Sequence, residues 1–199
     1  MKKILITGFE PFDGETINPS LEAVNHMPDK IGDTVIKKMS LPVVFGESGD
    51  KLIAEMDKYK PYAVICVGQA GGITGINIER VAINIDDSKN PDNKGNAPTD
   101  KTIYENGPAA YLATLPIKQL VSALKEAQIP AAVSNTAGTY VCNHVMYTAL
   151  HHVNKHSTGT KVGFIHIPYL PQQTLDKNNA PSMSLDYIVK ALEIIVVRV

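Results

Sequence analysis

Three side chains of different types stand in places where chemistry would need them: Cys142, His166 and Glu79. Cys142 lies where the polar, glycine-ended stretch "SNTAG" passes into an apolar pattern of helical spacing. Packing requires no such place for a thiol, but a thiolate gains from it. The unpaired N–H groups of a first helical turn and the positive end of the helix dipole stabilise negative charge there. The same N–H groups can donate to an oxyanion, so one position supplies two requirements of acyl transfer. The ordinary alternative is a small apolar residue at a helix start.

A nucleophilic thiol needs a base. Of the six histidines, His151, His152 and His156 fall late in the same helix in a polar context, and His26 ends the first helix. His144 is two residues from Cys142, and a helix points it elsewhere. His166 differs: it lies in "GFIHIPY", near the C-terminal end of an otherwise apolar strand, the end at which open α/β sheets bind ligands. Glu79 lies in "INIERVAINID", where Ile76 and Ile78 hold one alternation phase and Val81, Ile83 and Ile85 the other. Either both faces are buried there or a bulge lies near Glu79. Its carboxylate can orient an imidazole, as in triad logic. Each residue alone also has a structural reading; together they favour catalysis.

The elements that must position these residues follow from periodicity. "KKILITG" predicts a strand, and Asn18-Pro19 predicts the N-cap and first residue of a helix. "DTVIKKMSLP" predicts a strand and "GESGDKLIAEMDKYKP" a helix with Leu52, Ile53 and Met56 on one face. "YAVICVG" is a continuous apolar run, expected of a central strand covered on both faces, and Cys66 within it is expected to be a free, buried thiol. The stretch from Asp86 to Asp100 predicts a long irregular loop, either a lid or binding loop or a surface excursion. "PIKQLVSALKEAQ" predicts a helix, "PAAVSN" a strand, Val141 to about His156 a helix, "KVGFIHIPYLP" a strand and "SLDYIVKALEIIVVRV" a final helix with a broad apolar face. Alternating strands and helices imply an α/β sandwich around a mostly parallel sheet.

Composition bounds the remaining classes. The chain has 199 residues, 44% hydrophobic and 20% charged, with a formal net charge of −1, which fits a single domain spanning 1–199. No basic block marks a nucleic-acid binder, and no stretch approaches membrane-spanning length. The apolar run Ile4 to Ile6 is too short for a signal peptide, so a reducing cytoplasm is expected. No Cys/His cluster has zinc-ligand spacing, and no metal or cofactor is expected. After the first strand a dinucleotide-binding fold would require G-x-G-x-x-G, and here the loop is Phe9-Glu10-Pro11-Phe12-Asp13. Its carboxylates would repel a phosphate. Phe9 and Phe12 can instead flank a flat, uncharged ligand, or simply anchor the loop in the core.

"GFEPFDG…NPS", "GQAGG…IERVAIN", "SNTAGTYVCNHVMY" and "GFIHIPYLP", in this order from Gly8 to about Pro171, resemble the type I pyroglutamyl peptidases, or pyrrolidone-carboxylate peptidases. The resemblance implies a three-layer α/β/α sandwich and a cysteine peptidase that removes an N-terminal pyroglutamyl residue from peptides. It implies a cytoplasmic, metal-free homo-oligomer, a tetramer or dimer, and a triad falling on Glu79, Cys142 and His166. It also implies a pocket in which Phe9 and Phe12 hold the lactam ring, Val141 lines the wall, and Gln69 and Asn18 serve the ring's polar edge. There the backbone of Asn18 caps its helix while its amide braces the Gln69 loop. The family often has an arginine where this chain has Ile73. The backbone N–H of Cys142 is the expected oxyanion donor, with a second unassigned. Two other classes compete: a nucleoside phosphorylase-like enzyme, which would need a phosphate site for which "GQAGG" is the one candidate, and a non-catalytic binder, whose signature would be an altered triad.

Overall fold

The computed structural model describes residues 1–199. The chain runs β1 (Lys2–Phe9), α1 (Pro19–His26), β2 (Lys30–Ile31), β3 (Thr34–Leu41), α2 (Glu47–Tyr59), β4 (Ala63–Gln69), β5 (Ile76–Glu79), β6 (Val81–Ile83), β7 (Ala110–Leu112), α3 (Ile117–Glu126), β8 (Ala131–Ser134), α4 (Val141–His156), β9 (Lys161–Ile167) and α5 (Leu185–Arg198). Seven strands form one sheet in the order β2-β3-β1-β4-β9-β5-β8, and β6 pairs β7 in a separate two-stranded sheet. β3, β1, β4 and β9 run parallel, while β5 and β8, parallel to each other, are reversed against β9.

The layers follow from strand alternation. On β4, Ala63, Ile65 and Val67 join a core cluster with α1, α3 and α5, while Val64 and Cys66 join a second cluster with α2 and α4. Both faces of the sheet are therefore covered, which is why β4 is apolar throughout. The architecture is a three-layer α/β/α sandwich with a mostly parallel sheet, as the alternation of elements and the resemblance imply.

One expectation needs correction. The phase switch at Glu79-Arg80 is not a bulge in one strand. β5 ends at Glu79, and after Arg80 the chain leaves the main sheet to form β6. Arg80 anchors the departure: its Nε donates to Asn135 Oδ1 at 2.7 Å. Beyond it the fully buried positions are Ala82, Asn84 and Asp86, whereas Val81, Ile83 and Ile85 are only half-buried. Polar side chains face inward there because each finds partners. Asn84, for example, donates to the Tyr104 carbonyl and accepts from the Tyr104 N–H.

Candidate active site

Cys142 is the second residue of α4, so its N–H is among those a helix leaves without an intrahelical partner. Its neighbours fix the helix start. The Asn143 amide donates to the carbonyls of Ile83 and Ile85 and accepts from the Ile83 N–H, all at 2.9 Å. His144 points away from the thiol, as helical geometry requires. Its Nε2 accepts from the Gly46 N–H at 3.1 Å and its Nδ1 lies 2.8 Å from Asp86 Oδ2.

The thiol lies over Gly68 of β4. A Cβ built on Gly68 would meet Cys142 Sγ at 3.0 Å and the Phe164 ring at 2.7 Å, so only glycine leaves room for this placement. Gly68 pairs in register with His166 on β9, which brings His166 beside the thiol. On the other side β5 runs antiparallel to β9 with Asn77 opposite His166. Glu79, two residues further along β5 on the same face, reaches His166 diagonally from deeper in the sheet. Glu79 Oε1 lies 2.7 Å from His166 Nδ1, and Glu79 is 1% exposed. The sheet's reversal at β9/β5 is thus what supplies the carboxylate.

The electrostatics follow from this arrangement. Burial alone would depress the His166 pKa. The charge and hydrogen bond of Cys142 and the hydrogen bond and charge of Glu79 outweigh it, raising the pKa from 6.5 to about 9. Nδ1 serves the carboxylate, which leaves Nε2 for the thiol. Cys66, the other cysteine, is a free thiol pushed up to about 12, chiefly by burial.

Beside Cys142 opens a slot lined by Phe9, Phe12, Asn18, Val43, Gln69, Tyr140 and Val141. All five residues expected at a ring pocket are there, with Val43 and Tyr140 in addition. Tyr140, the N-cap of α4, packs its ring 6.2 Å from that of Phe12, centroid to centroid. An aromatic residue two positions before a helix-start cysteine was a signal available in the sequence. Val43, in an apolar run after a strand, offered none. Phe9 is a core residue, 2% exposed, that also lines the slot. Gln69 Oε1 accepts from the Gln173 amide at 2.9 Å.

Asn18 acts differently from the expectation. Its side chain caps α1, Oδ1 accepting from the Ser20 N–H at 3.0 Å, and its amide donates to the Glu10 carbonyl at 3.0 Å. It braces the loop carrying Phe12 instead of the Gln69 loop. A cavity of about 650 Å³ between α3 and α5 is lined by none of these residues.

The comparisons with known proteins agree with this geometry. Residues 2–199 match the family model for pyroglutamyl peptidase. The pyrrolidone-carboxylate peptidase of Thermosipho africanus is 60% identical over 190 residues, covering 96% of this chain and 93% of that one. That of Brachyspira hyodysenteriae is 54% identical over 194 residues, covering 98% and 96%. The crystal structure of Bacillus amyloliquefaciens pyroglutamyl peptidase I superposes with a TM-score of 0.96 at 50% identity, over 100% of this chain and 96% of that one. A mutant pyrrolidone carboxyl peptidase from the hyperthermophile Pyrococcus furiosus superposes at 0.94 with 42% identity, over 98% and 96%. With a thiol, an imidazole and a carboxylate in line beside an aromatic slot, and relatives matched along nearly its whole length, the chain belongs to the pyroglutamyl peptidase family.

Proposed function

We propose that this cysteine peptidase removes N-terminal pyroglutamyl residues with Cys142 as nucleophile, His166 as general base and acid, and Glu79 as the group that orients His166. The observation that carries the assignment is the His166 ring, held by Glu79 at 2.7 Å on Nδ1 and set beside the Cys142 thiol by the pairing of His166 with Gly68, over which the thiol lies.

The thiol proton passes to His166 Nε2, and a ring titrating near 9 holds it at neutral pH. The thiolate attacks the pyroglutamyl carbonyl carbon, forming the C–S bond and an oxyanion that faces the N–H groups at the start of α4, that of Cys142 among them. Collapse breaks the C–N bond, and His166 gives its proton to the leaving amine. Water, deprotonated by His166, then hydrolyses the thioester and frees pyroglutamate and the thiol. Glu79 accepts from Nδ1–H throughout, fixing the tautomer and balancing the imidazolium.

The slot suits the substrate. Pyroglutamate is a flat, uncharged lactam, and Phe9, Phe12, Val43, Tyr140 and Val141 offer it apolar walls. Asn18 and Gln69 stand at the polar edge, where an unpaired buried amide would cost about 1–3 kcal/mol.

The test is release of a fluorescent amine from a pyroglutamyl amide, with and without iodoacetamide and beside Cys142→Ser. Thiol-dependent release that the variant loses is expected; alkylation-resistant release would overturn the assignment.

The same reading takes residues 1–199 as one domain, acting on pyroglutamyl peptides in the cytoplasm as a homo-oligomer, a tetramer or dimer. One main sheet covered on both faces supports the first point, and no helix is long and apolar enough to cross a membrane. Light scattering of the purified protein tests the oligomer.

A further inference from the structure

The walls of the ring slot come from separate stretches of chain. Phe9 and Phe12 follow β1, Val43 follows β3, and Tyr140 and Val141 begin α4. Sheet pairing ties β1 to β3 as far as Phe9 and Leu41, but it does not reach Phe12, Val43 or the start of α4. Hydrogen bonds from three successive residues of the Asp86-to-Asp100 loop reach all three stretches. The Pro91 carbonyl accepts from the Tyr140 hydroxyl at 3.1 Å. The Asp92 carboxylate accepts from the Phe45 N–H at 2.9 Å. Asn93 spans two walls at once: its N–H donates to the Val43 carbonyl and its side-chain amide to the Pro11 carbonyl, each at 2.9 Å.

Asp92 is built to hold that position. It is 5% exposed, and its Oδ1 accepts from the N–H groups of Lys94 and Asn96 and from the Asn96 amide, which closes the loop tip on itself. The base of the loop is closed by the Asp86–Lys101 bridge, and Asp87 and Thr139 bond reciprocally beside α4. A stretch whose composition fits either a binding loop or a surface excursion is therefore folded around one buried carboxylate and fastened to the slot.

We propose that Pro91-Asp92-Asn93 is a clamp that sets the width of the ring slot, with Asp92 and Asn93 as positioning residues for recognition of the five-membered lactam. Neither touches Cys142, His166 or Glu79 in any bond described, so the clamp governs binding and ring selectivity and leaves proton transfer alone. The inference rests on the peptidase reading above.

The test compares wild type with Asn93→Ala and Asp92→Asn on a pyroglutamyl amide and on its six-membered-lactam homologue. The rate of Cys142 alkylation by iodoacetamide is the control. For Asn93→Ala the KM for the pyroglutamyl amide is expected to rise about three- to tenfold, as the loss of the side-chain bond to the Pro11 carbonyl implies while the backbone bond to Val43 stays, with kcat kept. Discrimination against the larger ring falls, and the alkylation rate stays at the wild-type value. Asp92→Asn places an N–H donor among N–H donors and is expected to shift KM and selectivity at least as far. Asn93→Gln, which keeps the donor, is expected to recover part of the loss. Unchanged KM and ring selectivity in both variants would overturn the clamp, as would a fall in kcat and alkylation rate with KM unmoved. If wild type itself releases no amine, the peptidase reading fails first; if it does and the variants match it, the clamp alone fails.

Discussion

Two buried carboxylate–histidine pairs flank the first turns of α4, and they are close to copies in geometry. In one, His166 Nδ1 lies 2.7 Å from Glu79; in the other, His144 Nδ1 lies 2.8 Å from Asp86. In each the carboxylate keeps a second oxygen, Glu79 Oε2 or Asp86 Oδ1, that is buried without a partner. What differs is the other edge of the ring. His166 stands beside the thiol of Cys142 across Gly68, whereas His144 Nε2 accepts from the backbone N–H of Gly46. That bond places the His144 proton on Nδ1 and occupies its only lone pair, so the ring has no basic nitrogen to offer. A carboxylate–histidine pair is therefore not a catalytic signature in itself. Its role is set by what the second nitrogen faces: an ionisable group makes it a proton shuttle, and an N–H makes it a brace between α4, the start of α2 and the loop base.

The largest effects separate the two rings. Cys142→Ala is expected to abolish measurable turnover with the fold kept, and His166→Ala to lower kcat by about 10³-fold or more. His144→Ala is expected to hold kcat within about threefold and to lose stability instead, by about 1–3 kcal/mol, because the buried Asp86 carboxylate loses its hydrogen-bond donor. Thermal unfolding measured beside initial rates reads both. If His144→Ala lost turnover as His166→Ala does, at intact fold, the distinction between shuttle and brace would collapse.

pH gives a second separation. In the proposed mechanism His166 carries the proton that the leaving amine needs, so kcat/KM is expected to fall on the alkaline side near pH 9. Glu79→Gln removes the carboxylate charge that helps hold the proton on the ring while leaving an oxygen to accept from Nδ1–H, so this limb moves toward neutrality, with kcat down about 10²- to 10⁴-fold. Stability follows the same sign. The ring's folded pKa lies above its ordinary 6.5, so its stabilisation is complete below pH 6.5 and is lost as pH rises through about 9. A stability profile flat from pH 6.5 to 10 would contradict the coupling of His166 to Cys142 and Glu79.

Much of this was legible in the sequence where a residue's type clashed with its setting. A thiol at a helix start, a histidine in an apolar strand and a carboxylate at a break in alternation were visible because each departs from a local pattern. The sheet and its helices were visible because burial on two faces leaves periodic traces. What stayed hidden depends on contacts distant in sequence. The break at Arg80 is a change of sheet, which alternation cannot tell from a bulge. Asn84 and Asp86 point inward because Tyr104 and His144 await them, and no local pattern records a partner 20 or 58 residues away. Asn18 could be read as a cap but not as the brace of Glu10. Whether the loop around Asp92 was a binding loop or a surface excursion stayed open because its order comes from one carboxylate gathering N–H groups rather than from apolar periodicity.

The finest test applies one chemical change, carboxylate to amide, to both pairs. Glu79→Gln moves the alkaline limb, as argued above. In Asp86→Asn the amide oxygen can still accept from His144 Nδ1–H, and the Gly46 bond to Nε2 is untouched, so the brace keeps its geometry. The cost is confined to an amide N–H₂ placed where Asp86 Oδ1 now lies buried without a partner, about 1–3 kcal/mol of stability. Turnover is expected within about threefold of wild type, with the alkaline limb still near pH 9. The comparison is sharpened if the two variants part in this way. It breaks if Asp86→Asn shifts the limb as Glu79→Gln does, because the two pairs would then titrate as one network through the first turn of α4, and the bond to Gly46 would no longer explain why His144 stays out of the chemistry.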